Sequence, residues 1–481
     1  MLVADSGLIS LLSANFTGGG YVATGTGALT TFSGVSSVAG MTFDGPATVV
    51  PGTTLAIGTG GLVNNGVLQV NPSGSASNAV VVATDSIGLT GNGEIRMRSQ
   101  GSDDSQVNTD EGMVITQGAN HSIRGVGYVN AALVNNGTIS ADSSVSVSGG
   151  TLELQTENKT NAGFITAEAS STLFVDGITL TQTGSGSLEA NNGSIVFGSG
   201  ATLSGGTVNS SGTGSYTVSG SATFDGVTLN SPGTVNFATT LDVTSPTLTN
   251  NSLIRVNPQQ SASDGVIAFP ANGTIAGSGE INLLANLFDS QIAGPGTVTN
   301  ASGHTISGRG TVSAPFINQG TINPGNTGVG TLNASSGVTL SPTSVLNIEL
   351  AGNNSSDRLA VTGTANLGGT LNVAMFGASM PTLNFNYTIL TADNVVGTFD
   401  NDNIIIDGNL ITRVVYEPTQ VRILTRCLGD TNLDGAVTAA DFSAWVSAYN
   451  AGSDIADQNL DGNVSPADFS AWVSNFNQGC P

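Results

Sequence analysis

Two stretches near the C-terminus carry side chains that could hold a metal ion. DTNLDGAVTAAD begins at Asp430, and DQNLDGNVSPAD begins 27 residues later at Asp457. Each reads D-x-N-x-D-G with a further Asp eleven positions after the first, the ligand spacing of a twelve-residue calcium loop. Calcium is a hard cation that takes six to eight oxygens, and the glycine permits the sharp turn after the third ligand. In the first loop the expected side-chain ligands are Asp430, Asn432, Asp434 and Asp441, with the Ala436 carbonyl and a hydroxyl or bridging water at Thr438. The second loop repeats the scheme with Asp457, Asn459, Asp461 and Asp468, the Asn463 carbonyl and Ser465. Gly435 and Gly462 make the turns, and two calcium ions are expected. The alternative is an acidic Asx-turn loop without metal; recurrence of the complete spacing weighs against it.

The elements that must position these loops follow from the apolar pattern behind each of them. Phe442, Trp445, Val446 and Tyr449, then Phe469, Trp472, Val473 and Phe476, fall at i, i+3, i+4, i+7, which predicts an amphipathic helix after each loop. Pro466 suits a first helical turn, where its missing N–H would be unsatisfied anyway. The stripe is expected to form the core between two packed helices rather than an exposed ligand surface. From Cys427 onward there is no Lys or Arg and there are seven Asp, a net charge of 0 − 7 = −7, so a separate small domain is expected over 427–481.

This paired loop-helix arrangement closely resembles a type I dockerin over nearly all of residues 427–481. The last ligand is Asp rather than the bidentate Glu of an ordinary EF-hand, and no leading helix precedes the loops; both departures are dockerin-like. The resemblance implies a cohesin partner and, through it, assembly or surface attachment. Partner-contacting positions that often hold a Ser-Thr pair are here Ala439-Ala440 and Pro466-Ala467. Cys427 and Cys480, the only cysteines, bracket the domain and are expected to close as a disulfide. Such a clasp would contribute roughly 4 kcal/mol by the chain-entropy estimate and fits an oxidising extracellular compartment. Alternatively, the terminal Gly-Cys resembles the endings of dockerin-like bacterial sorting domains, with Cys480 as an attachment point.

Residues 1–426 are organised by self-similarity. LVNNGVLQVNPSGSASN from Leu62 aligns without gaps on LTNNSLIRVNPQQSASD from Leu248, an offset of 186 that holds over 62–97 and 248–283. HSIRGVGYVNAALVNNGTISA from His121 aligns on HTISGRGTVSAPFINQGTINP from His304. A block of about 62–144 is therefore duplicated at 248–327, and 340–426 is read as a terminal or capping part. Within the blocks a shorter unit recurs, as in LVNNGTISA, TNAGFITAE and FINQGTINP: a turn signal, then alternating apolar residues. No such unit can bury its apolar face alone, whereas stacked coils about 4.8 Å apart bury a continuous core. The expected fold is mainly β, a right-handed parallel β-helix (β-solenoid) followed by the small α-helical calcium-binding domain. At roughly 20 residues per coil it would have about 20 coils and a length on the order of 100 Å. Stacked Asn side chains are expected to satisfy corner backbone groups. A string of β-sandwiches is the competing arrangement.

Residues from about 300 to 426, with INPG, DRLAVTGTANLGGTLNV, TILTA and GTF, resemble the bacterial autotransporter-associated β-repeat class. That resemblance implies an extracellular parallel β-helix and adhesion, and it specifies no chemistry.

Charge narrows the partners. Lys+Arg 10 against Asp+Glu 33 gives −23, and Lys159 is the only lysine, so no basic patch exists for nucleic acid or anionic lipid. No apolar run reaches the roughly 18 to 20 residues of a membrane helix. The opening MLVADSGLISLLSANF lacks the basic residues of a secretory leader, and Met1 is read as the start of a truncated or processed form. Asp103, Asp104, Asp110 and Glu111 contain the strings DD and NTD, but in an order and spacing unlike a polygalacturonase, so a solvated acidic loop is expected. His121 and His304 are repeat counterparts, Arg96, Arg98, Arg124 and Arg255 are scattered singly, and no nucleophile elbow or phosphate loop occurs. The leading expectation is a non-enzymatic extracellular or cell-surface structural and adhesive β-helix, attached through its calcium module, with a glycan or cell-envelope ligand on the solenoid. A polysaccharide-degrading β-helix enzyme delivered by its dockerin and a passive repeat spacer are the alternatives.

Overall fold

The computed structural model describes residues 1–480 except 100–102, 146–149, 326–327, 353, 378–381, 402 and 408–409. The chain is mainly β, a solenoid of about 16 turns with two short helices near its C-terminus. It divides into two compact units, Met1–Arg255 with Gly265–Ala268, and Val256–Asp264 with Phe269–Pro481.

A coil of the first unit contains three short strands. Thr172–Val175, Thr179–Gln182 and Ser187–Asn191 form one coil; Ser194–Phe197, Thr202–Ser204 and Thr207–Ser211 form the next. Each strand pairs in parallel with its counterpart one coil on, so that Leu173 lies beside Ile195, Leu180 beside Leu203 and Leu188 beside Val208. Parallel neighbours need a long crossover, and here the remainder of the coil supplies it. Side chains alternate between the two faces of each strand. Leu173, Val175, Ile195 and Phe197 point inward and are buried, whereas Thr172, Phe174, Ser194 and Val196 are half-buried on the outside. Phe197 packs edge-on against Tyr216 and Phe224, with centroids 6.4 and 5.0 Å away.

Corner residues stack as the turn signals predict. Asn135 donates its side-chain amide to Asn161 at 2.7 Å, and Asn161 donates to Gln182 at 2.7 Å, all three buried. Asn135 also accepts from the Gly137 amide, two residues on, which closes the turn. Glycine is required beside this ladder: a Cβ on Gly163 would collide with the Gly137 carbonyl of the preceding coil. The duplicated blocks reproduce such contacts in detail. Asn71 and Asn257 both adopt positive φ, 54° and 49°, and accept from the amides of Ser75 and Ser261 at 2.9 and 3.0 Å.

Coil length departs from the expected uniform repeat of about 20. Ile95 pairs with Ile123, 28 residues on, and Ile123 with Ile139, 16 residues on. Corners absorb this variation while strand register is kept, which is why the turns number about 16 rather than about 20.

In the second unit the ladders continue through Glu280–Leu283, Thr305–Gly308, Thr321–Pro324 and Val345–Ala351. Parallel pairing does not extend to residue 426. Asn386–Thr391 pairs antiparallel with Gln420–Cys427, which in turn pairs antiparallel with Leu410–Glu417. Pro418 and Thr419 form the connecting turn, and a two-residue link joins strands only in antiparallel sense. Two helices follow, α1 (Ala439–Asn450) and α2 (Ala467–Gln478). Among the described residues, no helix is long and apolar enough to cross a membrane.

Candidate metal centre

Each acidic loop runs directly into a helix, and the same Asp that ends the loop organises the helix start. Thr438 caps α1 by accepting from the Ala440 amide at 3.2 Å, while Asp441 accepts from the Thr438 amide at 2.7 Å, a reciprocal capping box. In the second loop Ser465 accepts from Ala467 at 3.2 Å and Asp468 from Ser465 at 2.8 Å. Pro466 stands immediately before α2 with φ −59° and ψ −21°, a helical conformation.

Inside the loops the hydrogen bonds match position by position. Asp430 accepts from Asp434 and Gly435 at 3.1 and 2.9 Å; Asp457 accepts from Asp461 and Gly462 at 3.2 and 2.9 Å. Asn432 and Asn459 accept from the amides of Asp434 and Asp461, which themselves accept from Ala436 and Asn463. Asp441 accepts from Asn432 at 3.0 Å, and Asp468 from Asn459 at 3.2 Å. Gly435 and Gly462 take φ of 89° and 81°, which favours glycine at both turns.

Among the described residues, no group of three or more His, Cys, Asp or Glu side chains is gathered as a metal cluster. The loop carboxylates are instead engaged by the amides just named. Their chemistry nonetheless suits calcium. Asp430, Asp441 and Asp468 are 1%, 0% and 0% exposed, and among the described residues none of them makes an ion pair. A buried carboxylate without a cation is costly, and backbone amides fill only part of its roughly four lone-pair sites. Burial acts to raise the Asp468 carboxyl, but the amides of Ser465, Asn459 and Gln458 outweigh it and hold it below the ordinary range.

The helix stripe is only partly a core. Trp445 and Trp472 stack at 6.2 Å and bury with Ala456, and their indole N–H groups donate to the Ala456 carbonyl and the Thr431 hydroxyl at 3.2 and 3.0 Å. Phe442, Val446, Phe469 and Val473 lie at 37 to 43% exposure, contrary to the expectation of a fully packed stripe. The two phenylalanines meet at 6.1 Å and lie over the tryptophans, so their outer faces have nothing left to pack on. The module is fastened to the antiparallel end of the solenoid. Cys427, the last residue of Gln420–Cys427, forms a disulfide with Cys480, their Cα atoms 5.6 Å apart. Arg413 pairs with Asp454, and Asn384 donates to Asp430 and to the Leu433 carbonyl, each at 3.2 Å.

The other singled-out residues are dispersed. The strand Ser105–Thr109 separates Asp103 and Asp104 from Asp110 and Glu111, and Asp104 is buried, so the four do not form one solvated acidic loop. His121 and His304 are buried in the corner ladders, beside Asn64 at 3.2 Å and Asn300 at 2.7 Å, and burial lowers each ring to about 4. Lys159 is 2% exposed; burial lowers it to about 7 while its ammonium donates to the carbonyls of Gln155 and Glu157. Sequence reading missed one constellation. Coil stacking places Arg96 beside Arg124, and both pair with Glu94, so these arginines are not single. Only the 28-residue register could have shown this, and that coil matches no neighbour in length.

No family model matches the sequence. The chain is 32% identical over 149 residues to the extracellular serine protease of Serratia marcescens, a match covering 29% of this chain and 14% of that protein. It thus spans about one seventh of the length of the curated relative that it matches. Among solved structures, the Haemophilus influenzae Hap adhesin aligns over 85% of this chain and 64% of its own, at 12% identity and a TM-score of 0.22.

Proposed function

We propose that this chain is an extracellular or cell-surface β-solenoid with a structural and adhesive role, attached or assembled through a calcium-binding, dockerin-like module at 427–481. The observation that carries this reading is the matched pair of loops, in which the buried carboxylates of Asp430, Asp441 and Asp468 make no ion pair among the described residues, while Asp457 feels the charge of the buried Arg426. Calcium would bind Asp430, Asn432, Asp434, Asp441 and their counterparts, and would offset the repulsion of carboxylates held together. The contiguous exposed face of Phe442, Val446, Phe469 and Val473 suits a protein partner of the cohesin kind, since aromatic and aliphatic anchors dominate such contacts. Similarity to an extracellular protein and the Cys427–Cys480 disulfide both favour an oxidising compartment.

The test uses the full chain. Its only tryptophans, Trp445 and Trp472, lie in the module, so intrinsic fluorescence reports on this part alone. Calorimetric titration should find two calcium ions bound, with a change in tryptophan emission reversed by chelator. Absence of both at millimolar calcium would refute the proposal. A polysaccharide-degrading enzyme is the second reading, favoured by a recess on the solenoid in which Glu94, Asp142 and Glu168 gather. Release of reducing ends from plant or algal glycans would decide for it.

A further inference from the structure

The recess lies on the first unit, on the outer face of one strand ladder, and has a volume of about 590 Å³. Its floor crosses four successive coils through Glu94, Ser122, Thr138 and Phe164, which are register partners. A second row runs from Arg124 through Ser140 to Thr166, and Asp142 and Glu168 stand at its edge. Ser140 and Thr166 occupy outward positions of their strands yet are only 8% and 2% exposed, so the floor is sunk below the surrounding surface.

Its chemistry is hydrophilic but electrically satisfied. Arg124 is held by Asp142 and, at 3.6 Å, by Glu94, so this guanidinium is already neutralised. Glu168 accepts from Thr166 at 3.1 Å and from Asn191 at 2.7 Å. On a chain of net charge −23, such a site repels polyanions and has no free cation with which to recover them. The strand amides below belong to closed parallel ladders, which leaves no edge for an added peptide strand.

We infer that this recess binds a stretch of uncharged polysaccharide. Hydroxyl-rich sugars can donate to carboxylates and accept from Ser and Thr, giving charge-assisted hydrogen bonds without a net charge requirement. Phe164 offers the one aromatic ring of the floor, against which the apolar face of a sugar ring can lie. Coils about 4.8 Å apart are spaced at close to the length of one pyranose unit, so successive units of a polymer meet successive coils. A second recess adjoins the corresponding strand of the duplicated block, although most of its lining lies beyond that block. In the second unit Thr321–Pro324, the counterpart of Thr138–Ala141, borders a recess of about 220 Å³ lined by Asn323, Asn347, Glu349, Asp357 and Asn372. Asn372 donates to Asn347 and Asn347 to Asn323, at 3.0 and 2.6 Å, and Glu349 follows Val345 by four residues as Glu168 follows Phe164. Pro324, Ile348 and Ala374 complete this second recess, so a hollow carrying polar groups and carboxyls beside apolar surface adjoins the corresponding strand of both units.

This inference rests on the solenoid being the ligand-bearing part of the molecule, and it is independent of calcium. Affinity electrophoresis of the full chain through gels containing xyloglucan, xylan, galactomannan, hydroxyethylcellulose or polygalacturonate tests it, with and without chelator. At least one neutral polymer should retard the protein in both conditions. Phe164→Ala, which removes the ring, and Thr138→Tyr, which fills the recess, should each weaken retardation at least tenfold. No retardation by any neutral polymer, retardation by polygalacturonate alone, or retardation unchanged in both variants would overturn the assignment. Tryptophan emission in the same samples follows the calcium loops, so failure of one proposal is distinguishable from failure of the other.

Discussion

Asn384, in the antiparallel end of the solenoid, donates its side-chain amide to a carboxylate oxygen of Asp430, the first residue of the first acidic loop, at 3.2 Å. The same amide reaches the Leu433 carbonyl, so one solenoid residue braces the first limb of the loop at two points. Asn384→Ala should therefore weaken calcium binding at the first loop by about tenfold, on the order of 1.5 kcal/mol for one hydrogen bond to a charged group. Fluorescence titration with calcium measures it, and an unchanged midpoint would show that the brace is incidental.

Because the two loops carry the same hydrogen bonds, they should fail separately. Asp434→Ala and Asp461→Ala are each expected to reduce the calorimetric stoichiometry from two calcium ions to one, and the double variant should bind none. Loss of both ions from either single variant would instead mean that the loops fold as one unit.

Reduction of Cys427–Cys480, or Cys427→Ser, should destabilise the module by about 4 kcal/mol on the chain-entropy estimate for a separation of 53 residues. Urea unfolding followed by tryptophan emission reads this directly. The β signal in far-ultraviolet circular dichroism should change far less, since the solenoid core lies outside the closed loop.

Burial lowers His121 and His304 to about 4, against about 6.5 in an unfolded chain. The unfolded state thus takes up these protons first. Their contribution to stability is complete above pH ~6.5 and is lost as pH falls towards 4, on the order of 2 to 3 kcal/mol for each ring. Asp357 opposes the trend: burial raises it to about 7, so it favours the folded state as pH falls below that value. Comparing urea midpoints at pH 7 and 4.5 isolates the histidine effect, because His304→Gln should lose less stability over that interval than the parent chain.

Amide ladders inside and outside the solenoid should differ in worth. Asn161→Leu leaves the buried amides of Asn135 and Gln182 without their partner and is expected to cost about 2 to 4 kcal/mol. Asn230→Ala breaks the exposed ladder from Asn209 to Asn251, two bonds of 2.9 Å, and should cost under about 1 kcal/mol. Equal denaturant midpoints for the two variants would contradict this account.

What was legible in the sequence was local. The residues proposed as ligands lie within twelve residues of one another, so the matching hydrogen bonds of Asp430, Asp434 and Asp441 and their counterparts follow from spacing alone. Strand alternation in LVNNGTISA likewise needs no neighbour to be read, and its Asn-Gly corner foretells the amide ladder at Asn135. Relations between coils were hidden, because register depends on corner lengths that vary without a pattern. Arg124 joins Glu94 and Arg96 only through a 28-residue coil, whereas the coil that follows it has 16. Helical periodicity also marked Phe442 and Phe469 as apolar-face residues, but not that the two tryptophans would fill the interior first and leave them outside.

The way the module is fastened decides how the molecule would carry load. With Cys480 bonded back to Cys427, tension arriving through either helix converges on the end of one strand, Gln420–Cys427. That strand is held on both sides, by Asn386–Thr391 and by eight paired positions of Leu410–Glu417. Extracting it means rupturing two hydrogen-bonded ladders. For load on α2 the clasp is the shorter route into the sheet and relieves both loops, whereas load on α1 still passes through residues 430–441.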